Sequence, residues 1–237
     1  MRAHSVKNAT VTVTKSQVFL AFFFTVFTLF ALFVYGVSFS TTYFDGRNVT
    51  NVMALTYFSV LVYCSEVQLR KLMVVMVALS YIGELLFCEI LHMYAYRTPH
   101  IPLYVPFGHA IVYASGYIFA HTTWAFQHAK YLEKTFAYGF GWLFLLVGLL
   151  LNDWFSVIFG LCFFLILKRK KGQNLYCFIA LCVIFIELVG TYFQCWKWQS
   201  KVFGTIPASN PPMGAVFFYA GGDVLLAKIT AYWKSNS

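Results

Sequence analysis

The sequence predicts an all-α protein: a polytopic transmembrane helix bundle of about eight spans, built from two parallel four-helix repeats. Three observations predict it. The chain is 60% hydrophobic and only 11% charged, against ~25% charged residues in a soluble domain. Several of its apolar runs approach or exceed the ~20 residues that carry a helix across ~30 Å of hydrocarbon. Finally, one short pattern around an intramembrane carboxylate occurs twice.

In chain order the spans are expected near 17–37, 52–67, 72–93, 103–125, 133–151, 154–168, 174–196 and 211–232. The first follows a basic stretch, but its apolar part is too long for a signal h-region and Ser38 and Ser40 make a poor cleavage site, so it reads as a retained helix. The second and sixth are shorter than the bilayer is thick, and the fifth joins the sixth only through Asn152-Asp153. Short spans of this kind tilt, thin the bilayer or turn back, so six full spans with shallow hairpins is the alternative count. The net charge of +9 is read by position. With both termini cytoplasmic, Arg70, Lys71, Lys130, Lys134 and the Lys168–Lys171 run fall inside, leaving Arg47, Arg97, Lys197 and Lys201 outside. This is the positive-inside asymmetry, and it assigns the basic run to orientation rather than to nucleic acid. The six cysteines lie in or at the ends of apolar helices without a CxxC pair, as packing residues rather than a disulfide set.

The repeat defines two halves, 1–130 and 131–237. The first reads Gly83-Glu84-Leu-Leu, Tyr94-Ala-Tyr96, Pro106-Phe-Gly108 and Tyr113-Ala-Ser-Gly116. The second reads Ile186-Glu187-Leu-Val, Trp196-Lys-Trp198, Pro212-Met-Gly214 and Tyr219-Ala-Gly-Gly222. Arg70-Lys71 precedes the Glu84 helix as Lys170-Lys171 precedes the Glu187 helix, so the copies run parallel, as in repeat proteins with an axis along the membrane normal. All six prolines fall in the two outer loops, 98–106 and 204–212. Proline excludes regular helix and makes these loops stiff caps or entrances.

The chemistry points to the outer half of the bundle. A carboxylate within the membrane is expensive, so Glu84, Glu187 and Asp223 are catalytic candidates, with His109 as their partner. Each is weighed against a neutral, hydrogen-bonded structural role. Tyr94, Tyr96, Trp196, Trp198, Tyr113 and Tyr219 are the candidate substrate-binding aromatics, against an interfacial belt. Glu89-Ile-Leu-His92 puts two ligand types on one helix face. With His109 it leaves room for a single metal ion, although the second repeat has Tyr192 and Cys195 at the corresponding places and no cofactor is otherwise called for. Gly214, Gly221 and Gly222 read as close-packing positions. The nucleotide-binding glycine loop, the nucleophile elbow and the zincin motif are all absent, which argues against nucleotide-driven phosphoryl transfer.

Glu84, Tyr94-Ala-Tyr96 and Pro106, echoed by Glu187-Leu-Val-Gly190, Trp196-Lys-Trp198 and Asn210-Pro211-Pro212-Met-Gly214, resemble uncharacterised bacterial multi-pass membrane proteins. More distantly the chain is similar to the carotenoid (bisanhydrobacterioruberin) hydratase family. The likeness covers roughly 83–116 and 186–223. It implies an enzyme of the bacterial inner (cytoplasmic) membrane that adds water to an isoprenoid double bond. One protonated carboxyl would protonate the alkene and an ionised one would stabilise the cation and activate water. The chain departs from that family at Cys88-Glu89-Ile-Leu-His92, where a glycine-rich aromatic loop is expected. The leading expectation is thus acid/base chemistry on an isoprenoid-like or other lipidic substrate. The alternatives are a proton-coupled transporter, and a non-catalytic subunit or assembly factor. The partners expected are membrane lipids and a membrane protein or second copy of the chain, not nucleic acid.

Overall fold

The computed structural model describes residues 13–169 and 173–235. Lys170 and Lys171, which the charge pattern used, lie outside that range. Thr14 starts the first helix, α1 (Lys15–Tyr35), with a capping box: its hydroxyl accepts from Gln17 N, and the Gln17 side chain accepts from Thr14 N. This satisfies two of the backbone donors left open at a helix start. The order continues with a short α2 (Val37–Thr42), α3 (Arg47–Cys64) and α4 (Val67–Glu84). A π-helical segment (Leu85–Ile90) extends α4 and leads to β1 (Tyr94–Tyr96). Then come α5 (Tyr104–Ala120), α6 (Thr123–Gln127), α7 (Ala129–Leu151), α8 (Trp154–Lys168) and α9 (Gln173–Tyr192). β2 (Trp196–Trp198), β3 (Lys201–Val202) and β4 (Ile206–Pro207) precede a short 3-10 turn (Met213–Ala215) and α10 (Val216–Ser235).

Each expected span contains a helix. Among the described residues, five of these are long and apolar enough to cross a membrane: Lys15–Tyr35, Val67–Ile90, Ala129–Leu151, Gln173–Tyr192 and Met213–Thr230. The protein is an integral membrane protein on that ground. α8, at 15 residues, falls short of the length, as its sequence suggested. The chain is all-α as expected, and the connections after α4 and α9 add two small antiparallel sheets, β1 with β2 and β3 with β4.

α5 is the hub. It packs against α1, α3, α4 and α9, and nearly all of its residues are buried. Small side chains allow this. A Cβ on Gly116 would lie 2.7 Å from the Ile179 backbone, so α5 and α9 meet backbone to side-chain stem, the close approach that small residues give membrane helices. Lipid-facing helices need no polar outer face, and Leu149, Leu150, Phe19 and Tyr138 are accordingly more than two-thirds exposed.

A buried carboxylate that the sequence left as a turn residue fixes the junction of α7 and α8. Asp153 is fully buried. Its Oδ1 accepts from Ser156 N (2.9 Å), while Ser156 Oγ (2.5 Å) and Ser209 Oγ (2.6 Å) lie on Oδ2. Gly214 N in turn donates to Ser156 Oγ at 2.8 Å. Asp153 therefore caps α8 and ties the second proline loop to it, the helix-start role for which Asp is suited. Gly214 packs closely as expected, its absent Cβ lying 2.8 Å from Ser156 Cα. Gly221 and Gly222 do not: nothing lies within 4 Å of a Cβ at either.

Just past β1, Arg97 reaches Asp45 at 2.6 Å and lies 4.6 Å over the Tyr35 ring, whose hydroxyl meets Thr98 Oγ1 at 3.0 Å. The bond from Arg97 holds the Asp45 carboxyl below its ordinary value. This tie adds stability above the ordinary carboxylate pKa and loses it as pH falls through the lowered one. The effect is small at so exposed a pair. The α5–α9 contact carries more. Gly116→Leu should destabilise the protein by about 1–3 kcal/mol through overpacking, seen as a lower melting temperature in detergent, whereas Gly139→Leu, which meets nothing within 4 Å, should leave it unchanged.

Candidate functional site

β1 and β2 join the two halves of the chain. Tyr94 pairs with Trp198, Ala95 with Lys197 and Tyr96 with Trp196. The ladder continues through Arg97 N to Cys195 O and Gln199 N to Met93 O, both 2.9 Å. Strand alternation turns both tyrosines and both tryptophans inward and leaves Ala95 and Lys197 exposed. The four rings form a packed aromatic patch, with Tyr94 against Trp198 at 4.7 Å between centroids and Tyr96 against Trp196 at 6.2 Å.

That patch supplies donors to two carboxylates. Tyr94 Oη and Tyr96 Oη donate to Glu84 Oε2 at 2.9 and 2.7 Å. Trp196 Nε1 and Trp198 Nε1 donate to Glu187 Oε2 at 2.9 and 3.0 Å. Each half thus binds its own carboxylate with its own pair of aromatics, phenols in one and indoles in the other. Burial first, and then the Glu84 charge, push the Tyr94 and Tyr96 phenols well above their ordinary pKa, so both hydroxyls stay donors. Gly190 makes room for the second pair, since a Cβ there would fall 2.0 Å from the Trp196 ring. Asn210 Oδ1 accepts from Trp198 N at 2.9 Å and locks the strand to the second proline loop.

Glu84 and Glu187 are 3% and 8% exposed. Glu84 Oε1 is 2.8 Å from His109 Nε2, and the imidazole stacks on Tyr219 at 5.0 Å between centroids. Both Glu84 oxygens are therefore engaged. Among the described residues no donor reaches Glu187 Oε1. Both acids, His109, the four strand aromatics and Tyr219 line one cavity of about 410 Å³. Its remaining wall is mostly apolar, from Phe27, Leu32, Met76, Leu79, Phe87 and Val112 among others. Tyr104, Gly83, Gly108, Gly221 and Gly222 also line it. The glycines carry no side chain to announce a cavity.

Three expected groupings do not form. Asp223 is buried but is not part of the cavity wall; it faces the Tyr113 and Tyr176 hydroxyls instead. The reason is helical periodicity: on α10 the cavity face runs through Phe218, Gly221, Gly222 and Leu225, which turns Asp223 toward α5 and α9. Tyr113 goes with it, away from the cavity. Glu89 and His92 border a separate outer cavity of about 370 Å³ with Cys88, Thr98, His100 and Gln199. The helix has ended before His92, which sits at φ +49° with its Nδ1 3.2 Å from Cys88 O. Glu89, His92 and His109 are consequently not one site, and no group of three or more His, Cys, Asp and Glu among the described residues is placed to hold a metal ion.

The chain matches no protein-family model, no curated protein and no solved structure.

If the indoles solvate Glu187, their removal costs more when the charge is present. Trp198→Phe should destabilise by about 1–3 kcal/mol, the cost of a buried group losing a partner. In a Glu187→Leu background the same change should cost measurably less, a coupling that thermal unfolding of the four proteins of the cycle reads.

Proposed function

We propose that this protein is a membrane-embedded enzyme that performs acid/base chemistry on an isoprenoid-like or other lipidic substrate in the outer half of the bilayer. One observation carries the reading: Glu84, bonded to His109, and Glu187, with one oxygen uncommitted, share a single apolar cavity. Burying two carboxylates beside a histidine costs stability that a purely structural cluster has no need to spend. An apolar wall favours a hydrocarbon over a hydrated solute.

The roles follow from the contacts. His109, oriented by Glu84 and by stacking on Tyr219, delivers a proton to a substrate alkene carbon. The π electrons form the new C–H bond and leave a cation on the neighbouring carbon. Glu187 stabilises that cation through its uncommitted oxygen. A water adding to the cation gives up its second proton to Glu187, and the product is an alcohol. The tyrosines and tryptophans hold both carboxylates still through their other oxygens, so little reorganisation accompanies the transfer of charge.

The proposal extends to architecture. All eight helices cross the inner membrane, with both termini cytoplasmic, and the halves 1–130 and 131–237 are parallel repeats. The β1–β2 pairing supports this, because its register maps onto itself on exchanging the halves. The matched bonding of Glu84 and Glu187 supports it as well.

Lipid extracts provide the test. Cells producing Glu84→Gln or Glu187→Gln should accumulate a lipid that the wild-type protein converts, with turnover reduced about 100-fold or more, the range expected for losing a positioned acid or base. Mass spectra in which wild-type, variant and empty-vector lipids coincide would contradict the enzymatic reading.

A further inference from the structure

The cavity has a shape and a way in that the chemistry does not use. Along α4 its wall follows Met76, Leu79, Ser80, Gly83, Glu84 and Phe87, one face of the helix. From Met76 to Phe87 that face runs about 16 Å at the 1.5 Å rise per residue. The facing stretch of α10, from Phe218 to Leu225, runs about 10 Å on the same rise. The cavity is therefore elongated along the helices. Its polar groups are gathered toward the outer end, at Glu84, His109 and Glu187. Below them, over about 12 Å from Glu84 to Met76, the α4 wall is apolar apart from Ser80, whose hydroxyl is turned onto the Val77 and Pro106 carbonyls.

The flank between α4 and α10 differs from the rest of the wall. Ile82, Leu86 and Leu225 line the cavity and yet are 62%, 41% and 48% exposed, as residues at its mouth are. Between them stand Gly83, Gly221 and Gly222, and nothing lies within 4 Å of a Cβ built on either α10 glycine. Glycines that permit close helix packing have neighbours at that distance, as Gly116 and Gly214 do. These two face open space.

We infer that the gap between α4 and α10 is a lateral portal to the bilayer, and that the single-chain alcohol formed in the cavity lies with its new hydroxyl on Glu187 Oε1 and its chain toward Met76. The inference rests on the reading of this cavity as the reaction site and adds the entry route, the orientation and the chain number. A single chain follows from the volume of about 410 Å³, near the low end of the ~300–1,000 Å³ of ligand pockets. A hydroxyl at the outer end follows from Glu187, which lines the cavity and whose Oε1 is reached by no donor among the described residues.

The test uses the full chain in lipid nanodiscs and a decanol carrying a photoactivatable diazirine at its far end. Illumination should label peptides containing Met76, Leu79 or Leu225. The matching decane probe, without the hydroxyl, should label about tenfold less, the ratio that one charge-assisted hydrogen bond supports. Gly222→Phe should reduce decanol labelling at least as strongly, with Gly222→Ala as the control that leaves the portal open. Leu86→Trp, placed at an already exposed position, narrows the same gap from α4 and serves should the phenylalanine variant not fold. Equal labelling in the portal variants would overturn the route. Labelling beside Trp198, or equal labelling by decane, would overturn the orientation. Each readout is occupancy, so the portal stands or falls separately from catalysis: labelling as predicted with unchanged cell lipids would sink only the enzymatic reading.

Discussion

Two carboxylates held inside a hydrocarbon-filled bundle are the constraint on which the rest of this structure depends. In a medium with no water to share, each needs donors built into the fold. The protein meets that need with aromatic side chains, whose bodies belong in an apolar core while their O–H and N–H ends do not. The donors have to come from a backbone that is rigid and presents neighbouring residues inward at alternate positions. A three-residue strand does this, and a helix would not. The β1–β2 ladder is therefore the part of the outer loops that the site requires, and the prolines, Asn210 and the Arg97–Asp45 tie keep it in place.

The same constraint explains the asymmetry between the halves. Tyr94 and Tyr96 satisfy one oxygen of Glu84 and His109 the other, while the indoles of Trp196 and Trp198 satisfy one oxygen of Glu187 alone. His109 has Ala215 as its counterpart in the second half. One carboxylate is thus closed and the other open. The proposed acid/base chemistry needs two groups with different roles, and this difference would supply them.

Much of this was legible in the chain. The duplicated pattern marks Glu84, Glu187 and the four strand aromatics in the sequence itself, because residues that recur at matching places stand out from random apolar sequence. His109 stood out for the opposite reason, as a polar group in one copy only. The helices were legible from length and hydropathy. What escaped was direction. Asp223 was correctly judged buried, but a membrane helix is apolar all round, so no amphipathic stripe told which way it pointed. Tyr113 failed for the same reason. Glu89-Ile-Leu-His92 matched a helical spacing, yet the helix passes into a π-helical turn and ends before His92, which nothing in the local composition foretold. Asp153 was missed although Asp-Trp-Phe-Ser156 at a helix start is a capping signal; it was passed over as a turn between two short apolar runs. The glycines of α10 were read as packing positions, since small residues at a contact and small residues beside a void look identical in one sequence.

The account as a whole turns on whether the space between Glu84 and Glu187 holds a lipid. A high-resolution density map of the protein purified from its own membranes, without added ligand, tests this most directly. The prediction is ordered, elongated density along α4 from Met76 upward, ending within hydrogen-bond distance of Glu187 Oε1. Side chains collapsed into a dry cluster, with both Glu187 oxygens bonded to protein, would contradict it.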